Sequence, residues 1–502
     1  MEGNLDISID RSSDEPIYRQ IARRIQEMIH TGTLPEGFRL PPERRLADSL
    51  GVNRSTVLNA YRELKALGLV DSHVGRGTAV IRPPSAPQEA VGVPWRQLFR
   101  ESVARSYDPI IAELLAAVEH TDLISFSIGL PAPELLPLET LEKLTAEIMR
   151  DSGSAPFLHC PTEGHSPLRE TLARWVTSRG IHAKASEVLV LSGSQQGLDL
   201  IARVFIDPGD VVVVEEPTYV GALQAFRGAQ ARVIGVPVDR DGMRTDILAS
   251  VLEHHRPKLI YSLPTFQNPS GAVMSLDRRR RLLELAARWH VPILEDDPYS
   301  ELRYEGDALP SLKALDEHEQ VLYLSTFSKV VLPGLRIGYF VVPTVVLRQL
   351  VQAKQSADLH SNSFGQYLLE RFVRDGYFSA HVERLKAVYC RRRDAMAGAL
   401  WREESLELRF DLPSGGLYFW CKLPDEIEQS TLMAHSAARG VSFLPGRACF
   451  AADPPENAIR LNFTHCSEEL IGEGVERLRD ALRETARVRR RRVDGVATSP
   501  IV

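Results

Sequence analysis

A lysine lies within Ser325-Thr326-Phe327-Ser328-Lys329-Val330-Val331-Leu332-Pro333-Gly334-Leu335-Arg336, just after the apolar run Val321 to Leu324. A lysine amine can form a Schiff base with an aldehyde cofactor. Hydroxyls, with an arginine seven residues on, could hold that cofactor's phosphate. A surface lysine after a buried strand fits the same stretch. Other polar clusters also follow apolar runs. Ser194 and Gln195 come after Val188 to Leu191 and open a helix, where free N–H groups suit a phosphate; a plain N-cap serine is the bland alternative. Tyr219, after Glu216-Pro217, can stack on a flat ring or fill core. Asn268 can hydrogen-bond a ligand or serve as an ordinary turn residue before Pro269. Asp296 and Tyr299 follow Pro292-Ile293-Leu294. A buried carboxylate needs a cation, which a protonated pyridine nitrogen would supply; otherwise Asp296 caps a helix. Each bland alternative stands singly, but together these residues point to one cleft.

The elements that must position them alternate from Ile124 onward: short apolar runs at 188–191, 211–214, 259–262, 292–294 and 321–324, separated by helical patterns. This predicts a buried, mainly parallel sheet, whose ligands bind beyond the carboxyl ends of its strands. Past Tyr389 the pattern mixes helix and strand, which predicts a smaller C-terminal α+β subdomain. The basic run Arg487 to Arg492 reads as a solvated helix end. The stretch containing Trp95, Leu98, Phe99, Ile110, Ile111, Leu114 and Leu115 reads as the entry to this α/β domain.

The N-terminal part has a different period. Ile17, Ile21, Ile25 and Ile29, with Tyr18 and Met28, predict a first helix closed by Thr31-Gly32-Thr33. Leu40-Pro41-Pro42 starts a second, to Leu50. Asn53 is a plausible N-cap for a third, Arg54 to Leu67, with Val57, Tyr61, Leu64 and Leu67 on its buried face and Gly68 at its end. Strands at Leu69-Val70 and 78–81 flank a glycine turn, Gly75-Arg76-Gly77. Three helices and a two-stranded ribbon describe a winged helix-turn-helix. Its third helix would enter the major groove of double-stranded DNA with Arg54, Ser55 and Thr56 leading; Arg44, Gly75 and Arg76 would reach the backbone or minor groove from the flanks. Residues 39–76 carry seven Lys/Arg and four Asp/Glu, a modest basic surplus. A small helical protein-interaction domain is the alternative. The Pro-rich segment 82–94 breaks all periodicity and reads as a linker. The expected boundaries are therefore 1–81, 82–94 and 95–502.

The 502 residues carry a formal charge of -6 and are 44% hydrophobic. That allows more than one domain with a sizeable core and excludes a polycation that coats nucleic acid. The 5 scattered cysteines show neither metal-like pairing nor a disulfide framework, so no metal is expected and a reducing, cytoplasmic setting is. No signal-peptide pattern opens the chain, and no apolar run is long enough to span a bilayer.

Glu15-Pro16-Ile17-Tyr18, Leu40-Pro41-Pro42-Glu43-Arg44 and Val52-Asn53-Arg54-Ser55-Thr56-Val57 resemble the N-terminal domain of GntR-type bacterial regulators, over roughly residues 10–81. Residues 94–502 resemble the fold type I aminotransferases that depend on pyridoxal 5'-phosphate (PLP), especially those acting on aminoadipate and kynurenine. That resemblance implies Lys329 as the Schiff-base lysine and Asp296 as the partner of the pyridine nitrogen. It implies Tyr299 and Asn268 as partners of the ring's phenolic oxygen, Tyr219 as the stacking aromatic, and Ser194, Gln195, Thr326, Ser328 and Arg336 as the phosphate cradle. Arg460, in Ile459-Arg460-Leu461-Asn462-Phe463, matches an arginine that grips an α-carboxylate bidentately, and Gly129, in Ile128-Gly129-Leu130-Pro131, a substrate-side glycine. His159 falls where the family usually has a tyrosine reaching the neighbouring subunit's cofactor phosphate; a histidine can also donate there. The two-part architecture resembles the MocR/GabR regulators, which implies a head-to-tail homodimer that binds operator DNA and responds to PLP or to an amino-acid or amine effector. A working aminotransferase with an appended DNA-binding domain is the alternative, since no catalytic part is missing.

Overall fold

The computed structural model describes residues 5, 7–11, 13, 15–31, 33–73, 77–81, 95–99, 123–402 and 408–496. The chain divides into two compact units, Met1–Phe99 and Arg100–Val502. The expected linker, residues 82–94, lies outside the described residues, as do Ile110, Ile111, Leu114 and Leu115.

In the first unit, α1 (Ile17–His30), α2 (Glu43–Leu50) and α3 (Arg54–Ala66) precede the antiparallel ribbon of β1 (Val70–His73) and β2 (Gly77–Val80). Ile21, Ile25, Leu46, Val57, Tyr61 and Leu64 are buried in one core, as their three- and four-residue spacing requires. The Tyr61 hydroxyl donates to the Pro41 carbonyl at 2.8 Å, fixing α3 against the chain that enters α2. Two expectations need correction. Leu67 is 51% exposed, because α3 ends at Ala66 and the backbone turns away at Gly68. Asn53 holds the N-cap position, but its side chain makes no capping hydrogen bond.

The second unit is built on an eight-stranded sheet of order β4-β11-β10-β9-β8-β5-β6-β7. Its strands are β4 (Val188–Leu191), β5 (Val211–Glu216), β6 (Arg232–Asp239), β7 (Gly242–Met243), β8 (Leu259–Ser262), β9 (Ile293–Asp297), β10 (Val321–Thr326) and β11 (Gly338–Val341). The pairs β6/β5, β5/β8, β8/β9 and β9/β10 are parallel, whereas β11 runs antiparallel to both β10 and β4. Every residue of β4, β8, β9, β10 and β11 is buried, as expected for a sheet covered on both faces. Six strands, β4, β5, β6, β8, β9 and β10, thus end on one edge, and β7 and β11 begin there. A smaller sheet, β12 (Tyr418–Lys422), β15 (Ala458–Asn462) and β14 (Leu444–Pro445), lies in the C-terminal part. The short pair β3 (Ile124–Ser125) and β13 (Val441–Ser442) joins the start of the described part of this unit to that C-terminal region. No described helix is long and apolar enough to cross a membrane.

Candidate functional site

The shared strand edge opens into a cleft of ≈ 450 Å³, lined among others by Ser194, Asp296, Lys329, Arg336, Tyr418 and Arg460. β9 runs three residues further than expected, to Asp297, so Asp296 is a strand residue rather than a helix cap. Strand alternation sends neighbouring carboxylates to different surroundings. Asp297 accepts from the Tyr323 hydroxyl at 2.8 Å and the Ser300 N–H at 3.1 Å. Asp296 Oδ2 accepts from the Tyr261 hydroxyl at 2.8 Å, while Oδ1 is buried with no hydrogen-bond partner among the described residues. Burial pushes the Asp296 carboxyl up to about 7; the Tyr261 bond opposes that and Asp297 adds to it. An unpartnered buried carboxylate oxygen calls for a cationic donor.

Lys329 faces the same cleft. Its Nζ donates to the Gly129 carbonyl at 2.7 Å. Burial lowers its pKa, and the Arg460 and Arg336 cations act in the same direction, against Tyr418 and Asp296. This favours the neutral, nucleophilic amine.

At one end of the cleft, the helix Ser194–Phe205 starts from Gly193, whose φ is +88°. A Cβ on Gly193 would lie 2.5 Å from Arg336 Nη2, so the glycine lets the guanidinium sit against the helix start. Free N–H groups and a guanidinium at one place form an anion cradle. Arg336 Nη1 lies 3.4 Å from Ser328 Oγ, which accepts from Thr326 Oγ1 at 3.1 Å. Thr326 and Ser328 are therefore placed behind Arg336 and do not line the cleft wall. The Gln195 side chain is also committed: Nε2 donates to the Gly221 carbonyl at 2.9 Å, and Oε1 accepts from the Tyr219 hydroxyl at 3.3 Å. It holds the Tyr219 ring in the wall, leaving the start of its helix to meet an anion. Asp358, which sequence reasoning missed, anchors this loop by accepting from Ser192, Gln196 and Lys354 at 3.0, 2.7 and 2.8 Å.

At the other end, Arg460 donates from Nη1 to Asn268 Oδ1 and from Nη2 to the Ser127 carbonyl, both at 2.8 Å, while its Nε is buried without a partner among the described residues. Asn268 Nδ2 in turn donates to the Tyr299 hydroxyl at 3.1 Å. A Cβ on Gly129 would lie 1.8 Å from the Tyr418 hydroxyl oxygen, so only glycine fits there. Tyr418 and Tyr261 went unnoticed in the sequence, because a tyrosine in an apolar run has the same pattern as core.

Thr326 and Ser328 still reach the cleft through Arg336, whereas His159 stands apart from it. It is exposed and does not line the cleft of its own chain; its Nδ1 lies 3.0 Å from His360 Nε2.

In the first unit, Arg44, Arg54 and Ser55 are exposed and Thr56 half-buried, around the start of α3. Arg54 already has a partner: Nε and Nη2 donate to Glu43 Oε2 at 3.1 and 3.0 Å. Gly75 and Arg76 lie outside the described residues.

Residues 121–478 match the family described as "Aminotransferase class I and II", and residues 17–80 match "Bacterial regulatory proteins, gntR family". Aromatic-amino-acid aminotransferase 1 of Thermococcus litoralis is 41% identical over 79% of this chain and 96% of its own length. The probable rhizopine catabolism regulatory protein MocR of Rhizobium meliloti is 31% identical over 94% of this chain and 95% of its own. The crystal structure of LysN, an alpha-aminoadipate aminotransferase from Thermus thermophilus complexed with N-(5'-phosphopyridoxyl)-L-leucine, superposes with a TM-score of 0.74. It covers 79% of this chain and 100% of its own, at 38% identity.

Proposed function

The chain belongs to the class I and II aminotransferase family and carries a gntR-type DNA-binding domain in front of it, and from that premise we propose that its cleft senses PLP or an amino compound and passes that state to the DNA reader. It is a MocR-like regulator, similar along 94% of its length to a protein of that type, and its cofactor is PLP. The observation that carries the sensing role is the orphaned Asp296 Oδ1, buried in the same cleft as Lys329 and Arg460.

PLP supplies an aldehyde for amines and a ring that accepts electrons from bonds beside the attached nitrogen. Lys329 offers an amine that burial shifts toward its neutral form. Asp296 holds a ring N–H. Asn268 and Tyr299 address the ring oxygen, and Tyr219 covers the ring face. Ser194, Gln195 and Arg336 hold the phosphate, with Thr326 and Ser328 orienting Arg336. Arg460 receives the effector's carboxylate, exchanging at least one of its present acceptors for it.

The assembly is a head-to-tail homodimer in a cytoplasmic setting, with His159 directed to the other subunit's cofactor phosphate. Its chemistry suits the role. His360 Nδ1 lies 2.9 Å from the Ser361 carbonyl and must carry a proton to bond it, so His360 Nε2 accepts and His159 Nδ1 donates. With Nδ1 engaged by His360, Nε2 is the His159 nitrogen left to face an anion.

An aminotransferase with an incidental DNA reader is the second reading, favoured by the complete set of Lys329, Asp296 and Arg460. One experiment separates the two. The full-length protein is titrated with DNA from its own promoter region, with and without PLP and a panel of amino acids, and turnover with a 2-oxo acid is followed in parallel. A sensor changes operator affinity, and the change is lost in Arg460→Ala; a tenfold change needs only about 1.4 kcal/mol of coupling. Many turnovers with DNA binding indifferent to every ligand would establish the enzyme instead.

The reader makes its own prediction. A bidentate base contact is worth about 1–3 kcal/mol, so Arg54→Ala should lose operator preference over random DNA. Arg44→Ala should weaken both alike and flatten the salt dependence. Equal losses of preference in the two variants would remove Arg54 from base reading.

A further inference from the structure

Tyr418 is a cleft residue to which nothing so far gives a role. On the antiparallel pair β12/β15 it stands opposite Asn462, while Arg460 stands opposite Trp420. Tyr418 and Arg460 are therefore diagonal neighbours on one face of the sheet, and the Arg460 guanidinium carbon lies 4.0 Å from the centre of the Tyr418 ring. That is close cation–π stacking in a site shielded from water, where such contacts are strongest. The same ring meets Tyr299 edge to face, at 5.9 Å and 88°, and the two hydroxyls are hydrogen-bonded. The Tyr418 hydroxyl also packs on Gly129, whose carbonyl receives Lys329.

We propose that Tyr418 is a positioning residue that ties the two arms of the site together: its ring fixes the plane of the Arg460 guanidinium, and its hydroxyl fixes Tyr299 and the Gly129 backbone that receives the Lys329 amine. The contacts close a ring. Arg460 donates to Asn268, Asn268 to Tyr299, Tyr299 is bonded to Tyr418, and Tyr418 stacks on Arg460. A carboxylate that draws Arg460 off Asn268 leaves the stacking face in place, so the guanidinium pivots in its plane and does not swing away. The charged and titratable groups around this ring are Asp296, Arg336, Arg460, Lys329 and Tyr219, with Tyr299 and Cys449 beside Tyr418. Burial works against ionisation of Tyr418, but Arg460 and Lys329 together bring its phenol below the ordinary value, and its interaction in turn raises Lys329.

The ring's role rests on the reading of Arg460 as the carboxylate site, whereas the hydroxyl's role does not. In ligand-free full-length protein, the pH at which Lys329 becomes half-reactive toward an acylating reagent, read by peptide mass mapping, should fall by half a unit or more in Tyr418→Phe. An unmoved midpoint overturns the hydroxyl's role. In PLP-loaded protein, 3-phenylpropanoate serves as a carboxylate probe without an amine. Its affinity should stay within twofold of the parent's in Tyr418→Phe and drop about tenfold in Tyr418→Leu, with PLP uptake retained. Parent-like affinity in Tyr418→Leu overturns the ring's role. If Arg460→Leu also leaves the probe's affinity unchanged, the reading of Arg460 fails instead, and the Lys329 midpoint still judges the hydroxyl. If Tyr418→Leu does not fold, Tyr418→His, which keeps a planar ring, should stay within threefold of the parent; a tenfold loss there would count against stacking.

Discussion

Lys329→Ala should abolish the visible absorbance band that PLP acquires on the protein and leave the fold intact. The amine is buried, and it donates a hydrogen bond to the Gly129 carbonyl. Removing it deletes the only amine on the cleft wall among the described residues able to join an aldehyde covalently, and it also removes a buried ionisable group that burial and the Arg336 and Arg460 charges disfavour in its charged form. The circular dichroism spectrum and melting temperature without ligand should therefore stay at parent values or rise slightly. Any effect of PLP on operator affinity that needs the covalent link should disappear with the band. A variant that keeps the band would transfer the role to another lysine, and one that loses its fold would make Lys329 structural.

Asp296→Asn should have opposite effects on the free and the loaded protein. In the free chain the Asp296 carboxyl titrates at about 7 instead of the ordinary 3.8, chiefly through burial. A folded-state pKa above the unfolded one means that the folded chain binds the proton more tightly. The stabilisation is then complete below about pH 4 and is lost as the pH rises through about 7. At about 1.4 kcal/mol per pH unit the displacement amounts to roughly 4 kcal/mol as an upper bound. The amide has no charge to bury, so Asp296→Asn without ligand should melt a few degrees higher than the parent at pH 8 and show a flatter profile between pH 5 and 8. Glu295 is also pushed up to about 7 by burial and by Asp297, so part of the slope will persist. A protonated ring nitrogen beside Oδ1 reverses the balance, because the carboxylate then has its cation. PLP affinity should accordingly fall at least tenfold in the variant. Unchanged affinity would mean that no carboxylate has this role, since both oxygens of Asp297 already have hydrogen-bond partners.

Much of this was present in the order of residues. Helical spacing with Pro41-Pro42, Asn53 and Gly68 gave three helices and a ribbon. Buried runs alternating with helices gave a mainly parallel sheet, and parallel strands must carry their following residues to one edge. Ser194, Tyr219, Asn268, Asp296 and Lys329 could therefore be assigned to one cleft from the chain alone. Local pattern and connectivity suffice for this because they fix which end of each strand a residue follows.

The tertiary structure decided what depends on residues far apart in the chain. Asp296 and Asp297 are adjacent and chemically alike; only the partners on β8 and β10, Tyr261 and Tyr323, determine which one keeps a free oxygen. Gln195, Thr326 and Ser328 have the right types for a phosphate, yet their side chains are committed to the tyrosine wall or to Arg336. Leu67 follows the helical period but falls past the last turn. Tyr418 is indistinguishable from core in sequence, because its function comes from contacts with Gly129, Tyr299 and Arg460. Periodicity reports which face of an element is buried. Which polar atoms remain unpaired on that face is set by side chains contributed from elsewhere in the chain, and the chemistry of this cleft depends on those atoms.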